Sequence, residues 1–190
     1  MNVRFRRTGV RRYAVVVTVA GGPPRAMDPA PAYDDDIPHD LVHYIVEAEL
    51  GLTNAVYGRA ARGAGTFVTT AERDVGPRER AREQRKQQRR ERAHGAHDAR
   101  HAADMAQSER LAALCDVAWR RKHGQHPDLA RPVPVPRMED AADIRRVVSR
   151  LDAIAPLWRA LPVGGELVFE WPNVVPSQAV RQKAVQREQS

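Results

Sequence analysis

The feature that most constrains this fold is a gap in the apolar pattern. From Pro77 to about Arg92 there is no hydrophobic stripe of any period, while apolar residues gather in roughly the first 70 residues and again from about 108 to 171. A core needs apolar area to remove from water, so it must be assembled from those two separated blocks. The sequence therefore predicts one domain built from residues 1–70 and 105–172. Residues 77–104 form a basic insert that is exposed or mobile, and the polar, aperiodic residues 173–190 form a disordered tail.

Charge sharpens that division. The chain carries +7 over 190 residues. Between Pro77 and His101, nine cations (Arg78, Arg80, Arg82, Arg85, Lys86, Arg89, Arg90, Arg92, Arg100) face four carboxylates (Glu79, Glu83, Glu91, Asp98). Most of the net charge thus lies on the insert and leaves the core blocks close to neutral. Pro77 suits a first helical position, and Arg, Gln, Glu and Ala favour helix, so the insert reads as a projecting basic helix. Arg82, Arg85, Lys86, Arg89 and Arg90 are its candidate contact residues for a protein partner or for non-specific nucleic acid. It has no aromatic side chain to stack on bases.

Within the blocks, periodicity identifies elements. Residues 3–7 alternate apolar and basic, Thr8-Gly9 supplies a turn, and residues 13–19 are β-branched and apolar, which predicts an opening hairpin. Residues 166–171 alternate again, with Leu167, Phe169 and Trp171 on one face. Helices are predicted over about 37–50, with Gly51 as C-terminal stop and Asp34, Asp35 and Asp36 capping its start. Others are predicted over about 54–62, capped by Thr53, over 108–122, and over 139–155, where Pro156 kinks or restarts the helix and the stripe continues to Trp158. Strands at both ends with helices between them argue an α+β fold: a small antiparallel sheet, N-terminal hairpin plus C-terminal strand, covered by helices.

No apolar run reaches the length of a membrane span. The run 14–20 follows Arg11-Arg12, as in a short export signal, but Gly-Gly-Pro-Pro stands where a cleavage site belongs. The strand reading is preferred, and with one cysteine, Cys115, the expectation is a cytoplasmic chain without disulfides or membrane partners.

The one cluster with chemical promise is Pro38-His39-Asp40-Leu41-Val42-His43, followed by Glu47. On a helix, His39 and His43 lie one turn apart on the same face, where two imidazoles reach one divalent metal such as zinc. Glu47 is the candidate third ligand. It lies about 12 Å along the axis from His39, so Glu49, the acids at 34–36 or another element remain open as donors. Asp40 or Glu47 is the candidate acid partner of a hydrolytic site. The competing reading makes both histidines capping and core-edge residues of a non-enzymatic interaction module. His94, His97 and His101 also share a helical face, read here as solvated.

Two resemblances follow from these residues. The His-Asp-x-x-His helix is similar to that of a ubiquinone-biosynthesis protein family, in which a second helix beginning Gly-Glu completes a metal site. The counterpart here is Gly58-Arg59, so a cation replaces the acid, and only about 25 residues are covered. More widely, Arg11 to Tyr13, Met27-Asp28-Pro29-Ala30-Pro31, the helix 38–43 with Glu47, Glu49-Leu50-Gly51-Leu52 and Leu161-Pro162-Val163-Gly164-Gly165 resemble a group of high-GC bacterial proteins. That likeness implies a family domain with a variable insert and brings no established activity.

Overall fold

A computed structural model describes residues 1–69, 95–125 and 133–180. Its centre is an antiparallel sheet formed by β1 (Asn2–Gly9), β2 (Arg12–Thr18), β3 (Arg25–Met27), β4 (Val68–Thr69), β5 (Glu166–Glu170) and β6 (Gln178–Val180), in the order β4-β3-β2-β1-β5-β6. Phe5 stands opposite Val15 on one side and Leu167 on the other. Alternation then turns Val3, Phe5, Tyr13, Val15, Val17, Leu167 and Phe169 to one face, where all are buried. The fold is α+β, and the expected meeting of the N-terminal hairpin with the C-terminal strand is its organising contact.

Four helices are described: α1 (His39–Leu50), α2 (Val56–Ala61), α3 (Gly95–Lys122) and α4 (Asp140–Arg159). Helix α1 packs against both α3 and α4. It sets Tyr44 edge-on to Phe5, with ring centroids 5.8 Å apart. Gly51 ends it in the left-handed conformation (φ 65), the backbone shape glycine adopts without a Cβ penalty. Among the described residues no helix is long and apolar enough to cross a membrane.

Several boundaries differ from expectation for identifiable reasons. Pro38, extended at φ −66 and ψ 145, is the N-cap of α1, so the helix starts at His39 rather than 37. The acids before it do not cap it. Asp34 accepts the amides of Asp36 and Ile37 in a tight turn, and its other oxygen meets Arg120 at 3.0 Å. Asp36 binds Gln125 and Arg159. Helix α4 runs through Pro156 to Arg159 because Trp158 is anchored beyond it. The Trp158 ring is buried edge-on to Tyr13 and its Nε1 donates to the Asp34 carbonyl.

The tail expected from residue 173 begins too early. Asn173 and Ser177 donate their amides to Glu170 and Val168, and β6 then pairs with β5. A main-chain ladder needs backbone donors but no apolar alternation, so this edge strand left no pattern in the sequence. Part of the expected insert is also docked. His101 Nδ1 lies 2.8 Å from the Asn54 carbonyl, and Asp104 accepts the Asn54 amide at 2.9 Å. Residues 70–94, 126–132 and 181–190, which hold the remainder of the expected insert and tail, lie outside the described residues.

Candidate metal centre

The periodicity of α1 places His39 and His43 on one face, and the rings meet edge to face with centroids 4.5 Å apart. Their Nε2 atoms are 3.0 Å apart. Helix α3 crosses beside this turn and brings Glu109, whose Oε2 lies 3.7 Å from His43 Nε2. One ligand atom from each of His39, His43 and Glu109 falls within 4.8 Å of the others. His43 is buried, whereas Glu109 is exposed. The three donors therefore converge from an enclosed wall toward a side that water reaches. Three protein donors with one open side is the arrangement that leaves a coordination position for an exogenous ligand.

Glu47, the third ligand expected from the sequence, is not in this cluster. It is fully buried one turn beyond His43 and is engaged elsewhere. Its Oε1 accepts the Val56 amide at 3.2 Å and its Oε2 the Tyr57 amide at 2.8 Å. Those are the first amides of α2, so Glu47 performs the capping expected of Thr53. Oε1 also accepts the Ser108 hydroxyl at 3.0 Å. Burial outweighs these bonds and pushes the Glu47 carboxyl up to about 7.

Asp40 also lies outside the three donors. Its carboxylate is hydrogen-bonded to the Tyr13 hydroxyl, and burial raises it above the usual carboxylate range. The counterpart of the ubiquinone-family acid is occupied as well. A Cβ on Gly58 would sit 2.1 Å from the Thr53 carbonyl oxygen, and the Arg59 guanidinium meets His101 at 2.6 Å. Neither is among the three convergent donors.

Burial, and secondarily the charge of His39, hold the His43 imidazole down at about 3. It is neutral at physiological pH, the form that coordinates metals. Ser108 sits 2.8 Å from His43 Nδ1. This is not a nucleophile–base pair, because the serine hydroxyl donates to Glu47. Burial pushes the Cys115 thiol up to about 12, which leaves it an inert core residue.

Two site residues, Ser108 and Glu109, escaped the sequence reading. The available signal was phase. Ser108 continues backward the stripe of Leu111, Leu114, Cys115, Ala118 and Trp119, and a polar residue in a buried phase implies a polar partner. Arg82, Arg85, Lys86, Arg89 and Arg90 lie outside the described residues, as does His94. Comparison of the chain with family models, with curated proteins and with solved structures finds no match.

Proposed function

We propose that this protein binds a divalent first-row metal ion through His39, His43 and Glu109, and that its solvent-facing side serves hydrolytic chemistry. The convergence of the three donor atoms within 4.8 Å, from two different helices, carries the reading. Two imidazoles and one carboxylate suit zinc, iron or manganese, with selection by supply and geometry. An ion held there would act as a Lewis acid and lower the pKa of a bound water. The residues' own contribution is a neutral His43 against a dry wall, a carboxylate to balance charge, and an open side. The unpaired, buried Cys115 is compatible with a reducing compartment such as the cytoplasm.

Elemental analysis and zinc titration of the untagged 190-residue chain test this. Near-stoichiometric binding is expected, with His39→Ala, His43→Ala and Glu109→Ala each weakening it at least tenfold while the circular dichroism spectrum persists. Protein that is isolated metal-free and does not take up zinc, manganese or iron(II) would overturn the proposal. Retention of full affinity in Glu109→Ala would remove Glu109 from the ligand set.

A further inference from the structure

The seam between α1 and α3 buries a chain of polar groups that the three candidate ligands do not explain. Ser108 and Glu47 are both fully buried, and His43 is 5% exposed. Residues that merely filled this seam would be apolar, because burying polar groups costs unless each finds its partner. Here each does, and with Glu47 as a carboxylate the partners fix where every proton lies.

The proton count runs from α2 inward. Above about pH 7 Glu47 is a carboxylate with no proton to give, so both its oxygens act as acceptors, from the Val56 and Tyr57 amides among others. The Ser108 hydroxyl has one proton, and it goes to Glu47 Oε1 at 3.0 Å. The serine oxygen can then only accept from His43 Nδ1, 2.8 Å away. A neutral imidazole carries one N–H, so His43 Nε2 is left with a bare lone pair. That atom is the one aimed at His39 and Glu109.

Resting on the metal reading above, we infer that Ser108 and Glu47 are positioning residues: they lock His43 in its Nδ1–H tautomer, with the Nε2 lone pair held ready for an ion. His39 is the opposite case. Its Nε2 must donate to His43 Nε2 across 3.0 Å, and among the described residues its Nδ1 has no protein partner. The centre thus has one imidazole set before binding and one free to exchange its proton with water. Binding an ion requires His39, and not His43, to move a proton from Nε2 to Nδ1. A hydrogen-bonded neighbour that orients a ligating histidine typically changes metal affinity 10–100-fold.

Nitrogen-15 spectra of the histidine-labelled 190-residue chain, recorded well above pH 7 where Glu47 is ionised, with and without zinc, read this directly. Metal-free wild type is expected to show His43 as a single Nδ1–H tautomer, unchanged by zinc, while His39 changes. Ser108→Ala should release His43 into a mixture of tautomers and weaken zinc binding 10–100-fold, with the same stoichiometry at saturation. Ser108→Thr, which keeps a hydroxyl, should restore both. A His43 that is Nε2–H in the wild type would overturn the inference. So would a Ser108→Ala variant that binds zinc within twofold of wild type. Wild type that binds no metal would defeat the proposed function alone, since the His43 tautomer still decides whether the relay exists.

Discussion

Helix α1 meets two unlike surroundings on its two sides. Toward the sheet it faces aromatic rings: Tyr44 lies 4.9 Å from Phe169 and 5.8 Å from Phe5, and Tyr57 lies 5.1 Å from Tyr44. Toward α3 it presents His43 and Glu47 to Ser108. The aromatic wall holds the helix by area and shape, which is strong and only loosely directional. The polar seam holds it by partner, because each buried donor or acceptor loses heavily if its mate is displaced. The contrast teaches that the wall sets whether α1 is buried, and the seam sets its rotation and height. A chain that needed only stability would have used the first alone.

The largest effect tests the wall. Phe5→Ala should cost about 3–5 kcal/mol, read as a lower denaturant midpoint at unchanged slope. A loss below about 1.5 kcal/mol would mean that the wall repacks and that the seam carries more of the fold than argued.

The next effect tests the seam. Glu47→Ala strips an acceptor from two α2 amides and from Ser108, at a cost of about 2–3 kcal/mol. Glu47→Ala and Ser108→Ala together should cost less than the sum of the singles by at least about 0.5 kcal/mol, since they share one network. Strict additivity would dissolve the network into independent contacts.

Acid should expose the same seam more gently. The imidazole of His43 is held below its ordinary 6.5, at about 3, so its contribution is complete above pH 6.5 and is lost as pH falls toward 3. The carboxyl of Glu47 is raised from 4.5 to about 7, so its contribution is complete below pH 4.5 and is lost as pH rises toward 7. Between those values the two oppose each other, and below pH 4.5 the His43 loss stands alone. The slope from one such group is at most about 1.4 kcal/mol per pH unit. Urea midpoints from pH 3.5 to 7, in metal-free buffer, should show the fall below pH 4.5 in wild type and a shallower one in His43→Gln. Superimposable profiles would assign the acid sensitivity to other carboxylates, such as Asp140, whose ion pair with Arg110 holds it at about 2.

The smallest effect separates the seam from its rim. Glu109 is exposed, so Glu109→Ala should change stability by less than about 0.5 kcal/mol in the absence of metal. The same variant is expected to lose zinc affinity. A large stability loss without metal would make Glu109 part of the scaffold.

What the sequence revealed followed from local repetition. The strand pattern at residues 3–7, 13–19 and 166–171 and the apolar stripe of α4 depend on neighbours in the chain, and each was legible. Strands β3 and β4 were not. Two or three residues cannot display an alternation, and their pairing rests on backbone groups that every residue carries. Half of the candidate centre was legible for the same reason: His39 and His43 are one turn apart. The other half was hidden because it is a meeting of helices. Glu47 shares α1 with the histidines and turned out to be committed to α2. Glu109 belongs to α3 and reaches them only through packing.

The sheet order carries a consequence for how this molecule is made. Strand β1 lies between β2, which follows it at once, and β5, which is synthesised about 160 residues later. At the usual pace of about 5–20 residues per second, the first hairpin waits roughly 8–30 seconds with one open edge. An open edge bearing Val3 and Phe5 is a template for pairing with the wrong strand. Arg4 and Arg6 alternate with those residues along that edge, opposite Val168 and Glu166 in the finished register. Charges spaced in this way discourage a second apolar strand from adding there. The arginines thus place charge along the side of the hairpin whose proper neighbour is made last.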